Sequence, residues 1–218
     1  MPNTTADLVS LVDKGLYGVL SLNSPERLNC LTEPMLTAVE QALRSFATWE
    51  SHRVLVVTGS GGVFSVGADL ATLPKLDVES AKAFSARGQA LMHSVSRTNR
   101  VTIAAIDGYC LGGGLDLALS CDLRYASPRS SFQHPGVKRG IITGWGGNIR
   151  LARLIGKDAA RRYFLTGDRI DAVEAERIGL INEIFDDPLV AACDRAFAIA
   201  NNWSAPGIAA AKTACHLE

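Results

Sequence analysis

Two glycine-rich loops are the parts of this sequence whose residues best suit chemistry. The first covers 59–67 and leads into Ala68 and Asp69, and the second covers 108–114 and opens a helix that carries Asp116. Glycine lets backbone N–H groups approach a ligand that a side chain would exclude, and the first turn of a helix has N–H groups without partners. Such loops suit an oxygen that becomes negatively charged during a reaction. Glycine loops at strand ends are also often plain turns, so the loops alone leave both interpretations open.

The cysteines and histidines indicate no second kind of chemistry. The five cysteines are scattered and form no C-x-x-C pair, and the four histidines include no pair at the spacing of metal ligands. We therefore expect free thiols and no metal site. The sequence also lacks a phosphate-binding P-loop, a G-x-G-x-x-G dinucleotide motif after a strand, and a G-x-S-x-G nucleophile elbow.

The composition indicates a neutral protein with a substantial core. The 218 residues are 47% apolar, and 22 Lys and Arg balance 22 Asp and Glu. The zero net charge gives no electrostatic basis for binding nucleic acid or an anionic membrane. No apolar run approaches the roughly 20 residues that span a bilayer, and the N-terminus lacks the pattern of a signal peptide. We therefore expect a soluble, cytoplasmic protein with neither nucleic acid nor membrane as a partner.

Helix, buried strand and glycine loop recur along the first two-thirds of the chain. A strand is predicted at 16–23, and amphipathic helices are predicted from Thr32 and over 79–96. The continuous apolar runs at 54–58 and 101–106 are typical of strands that are buried on both faces. This order predicts an α/β fold.

Beyond Gly144 the pattern predicts helices almost throughout. Asp171 and Asp187 are predicted helix starts, and Gly167 is a predicted stop. We expect one structural domain, with a core over 1–150 and a helical C-terminal portion over 151–218. The helices predicted in and just before that portion cover 148–154, 158–165, 172–178 and 189–201.

A long series of motifs follows in a fixed order along the chain. The most specific are the glycine-loop segments 64–70 and 104–118 and the Gly-Trp-Gly-Gly of 144–147. Shorter matches are Pro25, Asn29, Leu31, Cys121-Asp122, 140–142, Arg150-Leu151, 154–156, 165–167, Ala175-Glu176 and 179–180. In this series the chain, from about Leu16 onwards, strongly resembles the crotonase family, also called the enoyl-CoA hydratase/isomerase family.

The resemblance implies a fold, an assembly and a substrate class. We expect a crotonase-like spiral of ββα units that assembles as a homotrimer or a homohexamer and binds an acyl-CoA thioester. No separate cofactor is expected, because CoA is part of the substrate. By motif position, the backbone N–H groups of Ala68 and Gly113 form an oxyanion hole for the thioester enolate. Family members usually continue for some distance past the equivalent of Lys212, so we expect this chain to be short for the family.

The resemblance also implies where CoA binds. Contacts are expected from Arg27 and Leu28 and from the segment Ala68, Asp69, Leu70 and Ala71. The lysine that is common just after the family's Gly-Ala-Asp motif is replaced here by Ala71. For Asp69, a role in organising its own loop is the favoured interpretation.

The expected acid and base differ from those of the family's hydratases, which use two glutamates. Asp116 matches the first glutamate and is able to act as base or acid if its carboxyl reaches the water. The alternative is that Asp116 only interacts with the helix dipole. The second glutamate is replaced by Gly136, which counts against full hydratase activity and against the simple double-bond isomerase.

Three further residues are candidates around this site. His134 is a candidate proton donor if it titrates near neutrality, and a structural or solvent-facing histidine is the alternative. Trp145 either narrows the acyl pocket, stacks on an aromatic acyl group or only packs. Gly144 matches a family glycine whose backbone helps to hold the catalytic water.

The resulting hypothesis is an acyl-CoA enzyme that stabilises an enolate, of the enoyl-CoA hydratase/isomerase type. Hydrolysis, C–C cleavage or decarboxylation of an acyl-CoA on the same site are alternatives, because they need the oxyanion hole without the second glutamate. A crotonase-like binding protein that has lost catalysis is the alternative from a different class.

Overall fold

The structure, a computed structural model, describes residues 8–216. The strands are β1 (Val9–Asp13), β2 (Tyr17–Leu22), β3 (Val54–Gly59), β4 (Val101–Ile106), β5 (Tyr109–Leu111), β6 (Leu123–Ala126), β7 (Ser131–Gln133), β8 (Ile170–Asp171) and β9 (Glu183–Ile184). The helices are α1 (Glu33–Ala47), α2 (Val78–Ser96), α3 (Gly113–Leu119), α4 (Gly147–Ile155), α5 (Lys157–Thr166), α6 (Ala172–Arg177), α7 (Pro188–Asn202) and α8 (Ala205–His216).

The strands form two sheets. The larger has the order β1-β2-β3-β4-β6-β9, in which β1 and β2 are antiparallel and the other neighbours are parallel. The smaller has the order β5-β7-β8. The predicted α/β class is therefore confirmed, and so are the strands predicted at 54–58 and 101–106.

Strands β3 and β4 are buried on both faces because helices cover the larger sheet on each side. On one face, Val56 and Ile103 pack against Ala196 and Ile199 of α7. The other face belongs to the main core. Continuous apolar strands are what a parallel sheet between two helical layers requires.

The helix boundaries follow local capping chemistry. Thr32 accepts the N–H of Met35 at the start of α1, while Asp171 and Asp187 accept first-turn N–H groups of α6 and α7. Gly167 ends α5 in the left-handed conformation. The predicted starts and this predicted stop are therefore confirmed.

The prediction that the chain is helical almost throughout after Gly144 is confirmed by helices α4 to α8, and two short strands interrupt the pattern. Strand β8 pairs with β7, and β9 pairs with β6. Each has two residues, which is too short to show a period in the sequence. The sequence patterns also gave no sign of β1, β5, β7 or the Ala-rich helix α8.

The C-terminal helices are joined to the sheet by polar as well as apolar contacts. Lys212 of α8 donates to Asp122 Oδ2 at 2.7 Å and to the Arg100 carbonyl at 2.9 Å. Its side chain is 8% exposed, so this ion pair is largely shielded from solvent. Within residues 8–216, no helix has the length and apolar composition needed to cross a membrane.

Candidate active site

The two glycine loops lie against each other at the carboxyl ends of β3 and β4. Leu111 donates its N–H to the Ser65 carbonyl, and Ser65 donates its own to the Tyr109 carbonyl, both at 2.9 Å. A Cβ at Gly67 would lie 2.5 Å from the Gly113 nitrogen, so only glycine permits this approach. Gly67 also has a φ of +85°, which suits glycine for a second reason. The structure thus brings the two predicted donor loops together.

The N–H groups of Ala68 and Gly113 are the two oxyanion donors that the resemblance implies. Neither has a hydrogen-bond acceptor among the described residues. The residue before each of these two donors is held in place by its own N–H group. Gly67 donates to Ser65 Oγ at 3.1 Å, and Gly112 donates to the Gln133 carbonyl at 2.9 Å. The loops therefore fix the direction of the two N–H groups before a ligand binds.

Asp116 lies one turn into α3 and is completely buried. The Thr143 hydroxyl donates to its Oδ2, and His134 Nε2 lies 3.4 Å from its Oδ1. Burial raises the pKa of the Asp116 carboxyl to about 7, against the opposing effects of the Thr143 hydrogen bond and the Arg150 charge. No backbone N–H within residues 8–216 donates to the carboxyl, so its contacts do not support the helix-dipole alternative.

His134 is buried beside Asp116 and is stacked on Phe164, with 4.9 Å between the ring centroids. Burial lowers the pKa of the imidazole to about 4. This lowered pKa does not support a proton donor that titrates near neutrality, and the 7% exposure of the residue favours the structural over the solvent-facing alternative. Burial thus favours the neutral form of both the Asp116 carboxyl and the His134 imidazole, which disfavours an ion pair between them.

Gly136, which the resemblance aligns with the family's second glutamate, lies in a tight turn over Pro135–Arg139. A Cβ at this position would lie 2.6 Å from the Ile141 carbonyl oxygen. The same turn is closed by Ile141, which donates its N–H to the Gly136 carbonyl at 3.0 Å. The loop's own backbone therefore occupies the direction that a side chain would take.

Trp145 lies over the second glycine loop. Its indole is 3% exposed and packs against the Phe84 ring at 5.2 Å between centroids. A Cβ at Gly113 or at Gly88 would overlap the indole. The Gly144 carbonyl before it accepts hydrogen bonds from Ser85 and Gln89 of α2, each at 2.8 Å, which anchors the segment on that helix.

The predicted CoA-binding residues lie together beside the first loop. Arg27 Nη2 is 3.4 Å from Asp69 Oδ2, and Asp69 Oδ1 accepts the N–H of Ala71 at 3.0 Å. These contacts match the loop-organising interpretation of Asp69. Leu28 is 44% exposed and Leu70 is 43% exposed, which leaves two apolar side chains at the surface here.

Asn29 joins this segment to the first glycine loop. Its amide nitrogen donates to the carbonyls of Ser60 and Val63 at 3.0 and 2.7 Å, and its carbonyl oxygen accepts the N–H of Ser24 at 2.8 Å. Its φ of +50° is one that asparagine adopts more readily than most residues. The sequence singled out Asn29 only as part of a motif, and its positioning role comes from the structure.

Replacing Asn29 by Ala is expected to lower the free energy of unfolding by about 3 kcal/mol or more, because it leaves buried backbone groups without partners. Asn29→Gly is the matched control, since it loses the same hydrogen bonds without strain at positive φ. Chemical denaturation measures both variants. A loss below about 1 kcal/mol in both would contradict the assignment.

Thr143 was not identified from the sequence. A threonine in a glycine-rich loop carries no distinctive signal, and its partner Asp116 is 27 residues away. Its contact with the carboxyl is visible only in three dimensions.

The fold and the paired donor loops define a family of enzymes. Residues 15–216 match the model of the enoyl-CoA hydratase/isomerase family, so the chain belongs to that family.

Individual relatives and solved structures agree with this assignment. A crotonyl-CoA hydratase of Syntrophomonas wolfei is 38% identical over 76% of this chain and 64% of its own length. A probable mitochondrial enoyl-CoA hydratase of Dictyostelium discoideum is 36% identical over 78% of this chain and 61% of its own length. The chain thus spans somewhat under two-thirds of these relatives. The crystal structure of an enoyl-CoA hydratase from Thermoplasma volcanium superposes with a TM-score of 0.90 at 32% identity, covering 96% of this chain and 84% of that one. The predicted crotonase fold is confirmed.

Proposed function

We propose that the protein acts on an acyl-CoA thioester through an enolate, as an enzyme of the 2-enoyl-CoA hydratase type. The observation that carries this proposal is Asp116, a buried carboxyl with a pKa raised to about 7 in the helix that begins at the donor Gly113. The named relatives are hydratases and support the same reaction class.

The oxyanion hole in this proposal consists of the N–H groups of Ala68 and Gly113. Both lack an acceptor within the described chain and both follow residues fixed by hydrogen bonds. Donors that are oriented before the reaction stabilise the charge that develops on the thioester oxygen without a cost of reorientation. Each contributes about 3 to 4 kcal/mol to lowering the barrier.

Asp116 supplies the acid and base chemistry. A group whose pKa is close to the working pH is present in both protonation states and transfers protons efficiently. In hydration, the ionised carboxyl takes a proton from water as the water oxygen bonds to Cβ. The protonated carboxyl then gives that proton to Cα of the enolate, which restores the starting state.

A second candidate function follows from Gly136. The turn there directs any side chain at the Ile141 carbonyl, and glycine itself supplies no carboxylate at this place. Hydrolysis, C–C cleavage or decarboxylation of an acyl-CoA requires the oxyanion hole but not a second carboxylate. Double-bond isomerisation is disfavoured by the same observation, because it uses a carboxylate at that place.

The experiment is to incubate the protein with crotonyl-CoA, at enzyme concentrations comparable to the substrate, and follow the enoyl absorbance. Hydration predicts a loss of absorbance that Asp116→Asn abolishes. No loss above buffer would rule out the hydratase, and release of CO₂ or free CoA from other acyl-CoAs would then favour the second candidate. A protein whose melting temperature no acyl-CoA raises would not bind these ligands at all.

Trp145 is expected to limit the size of the acyl group because its indole fills the space beside Gly113. Trp145→Ala should raise kcat/KM for a ten-carbon relative to a four-carbon enoyl-CoA by at least about tenfold, as one or two accommodated methylenes already contribute on that order. The same change should cost about 3 to 5 kcal/mol of stability, because it leaves a cavity in the core.

Trp145→Phe is the matched control, since it keeps an aromatic ring against Phe84 and opens less space. Steady-state kinetics with both chain lengths, on variants shown to be folded, give the measurement. An unchanged preference in Trp145→Ala would assign the indole to packing alone.

The assembly and location extend this proposal. A homotrimer or homohexamer, with acyl-CoA as its ligand and no cofactor beyond the CoA of the substrate, stays a prediction from the family resemblance. The cytoplasmic location stays a prediction from the sequence pattern. Light scattering after size-exclusion chromatography tests the assembly.

A further inference from the structure

Three residues lie against the Asp116 carboxyl in the described part of the chain, namely Gly147, His134 and Thr143. On the Oδ1 side stand Gly147 and His134, both buried. A Cβ at Gly147 would overlap Oδ1, so the backbone of α4 lies directly on that oxygen. On the Oδ2 side stands Thr143, which is half-buried and donates its hydroxyl to the carboxyl. Thr143 is thus the least buried of these three neighbours.

The other titratable groups near the carboxyl are His134, Arg150 and Cys110, and none of them makes a hydrogen bond to it within residues 8–216. His134 is neutral above pH 4, and neither its Nε2 nor Asp116 Oδ1 has a hydrogen-bond partner. Arg150 donates to the Trp145 carbonyl at 2.9 Å, and a guanidinium does not give up its proton in a protein. Cys110 is fully buried, and burial raises the pKa of its thiol well above the ordinary value.

Thr143 is held in place by the residues that follow it. The carbonyl of Gly144 is fixed by Ser85 and Gln89, and Gly147 begins α4 against the carboxyl. Contacts with two helices, α2 and α4, therefore position the Thr143 hydroxyl beside Asp116. A hydroxyl both donates and accepts a hydrogen bond, which is what a relay needs.

We propose that the Thr143 hydroxyl is a further catalytic group that carries the proton between buried Asp116 and the substrate. This inference rests on the proposed function. Thr143 gives its hydroxyl proton to Asp116 Oδ2 while its oxygen takes a proton from the attacking water, whose oxygen bonds to Cβ. In the return step Asp116 gives the proton back to the Thr143 oxygen, and the Thr143 proton passes to Cα. One O–H bond breaks for each bond to hydrogen that forms, and no oxidant or reductant is needed.

The test compares Thr143→Val, which keeps the shape and loses the hydroxyl, with Thr143→Ser, which keeps the hydroxyl. Thr143→Val should lower kcat by about 10²-fold or more, with KM within threefold of the unaltered protein. In Thr143→Ser, kcat should stay within tenfold of the unaltered protein. Carbon-13 NMR of the labelled carboxyl, in protein without ligand, should show the pKa of Asp116 rising in Val and not in Ser, because a donor to the carboxylate is lost.

Each outcome decides the proposal. An unaltered kcat in Thr143→Val, with Asp116→Asn inactive, would overturn the relay and leave the role of Asp116 intact. Activity retained in Asp116→Asn would overturn the role of Asp116 and the relay with it. If the unaltered protein turns over no acyl-CoA, the proposed function and the relay both fail, while the carboxyl titration still tells whether Thr143 and Asp116 are in contact.

Discussion

Replacing Asp116 by Asn is expected to lower turnover of the acyl-CoA substrate by about 10²- to 10⁴-fold, the range that a general acid or base contributes. The amide is nearly isosteric, so the geometry at Thr143 and His134 should persist while proton transfer is lost. Steady-state kinetics at saturating substrate measure the effect. Unchanged kcat would show that another group moves the proton.

The same substitution should change how stability depends on pH. Burial raises the pKa of Asp116 from 3.8 to about 7, so the folded protein keeps a proton that the unfolded chain loses above about pH 4. This stabilising contribution is complete below pH 4 and is lost as pH rises to 7, where the buried carboxyl ionises. At 1.36 kcal/mol per pKa unit, the free energy of unfolding falls by on the order of 4 kcal/mol over this range. Asp116→Asn has no carboxyl at this position and should not show this decrease.

Denaturation at pH 5 and pH 8 measures this difference, and Asp107→Asn is the control. The Arg129 guanidinium lowers the pKa of Asp107, so its contribution has the opposite sign and is present at pH 8. We expect Asp116→Asn to gain stability relative to the unaltered protein between pH 5 and pH 8, and Asp107→Asn not to gain. The lowered pKa of His134 affects the unaltered protein and Asp116→Asn alike and cancels in the comparison. A pH-independent difference for Asp116→Asn would mean that the carboxyl is not buried as described.

Replacing Gly67 by Ala should lower turnover by about 10²- to 10³-fold, the cost of losing one oxyanion donor. The new Cβ would lie 2.5 Å from the Gly113 nitrogen and 2.7 Å from the Leu111 carbonyl oxygen, so the two loops must move apart. This movement is expected to separate the N–H group of Ala68 from that of Gly113.

Gly15→Ala is the matched control for Gly67→Ala. Its φ is +87°, against +85° for Gly67, but nothing lies within 4 Å of its Cβ position. Both variants therefore carry the same left-handed strain, about 1 to 2 kcal/mol, and only Gly67→Ala displaces the loops. Equal turnover in the two variants, measured on folded protein, would show that the loop contact is not needed for activity.

The positions of the donor loops could be predicted from the sequence because strong local signals determine them. The apolar strands β3 and β4 are adjacent and parallel, so the loops at their carboxyl ends must meet. The environment of Asp116 could not be predicted in the same way. Its neighbours come from residues 134, 143 and 147, and no local pattern shows that these segments converge on it.

The protonation of His134 could not be predicted from the sequence either. Its residue type suggests titration near neutrality, but Phe164 of α5 covers it, and that burial removes the charge. Gly136 is a third example, because the resemblance predicts that a glutamate is replaced there and only the fold shows the Ile141 carbonyl in the direction of a side chain. In each case the deciding contact joins residues from different elements of the fold.

The most direct measurement of the central claim is exchange of the α-hydrogens of butyryl-CoA in D₂O, followed by proton NMR. A saturated thioester has no Cα–Cβ double bond to which water could add, so exchange isolates enolate formation in the Ala68 and Gly113 site. We predict loss of the α-C–H signal much faster than in buffer, abolished by Asp116→Asn and by Gly67→Ala but retained in Gly15→Ala. Exchange no faster than in buffer would contradict the claim that this site holds an enolate with Asp116 as its acid and base.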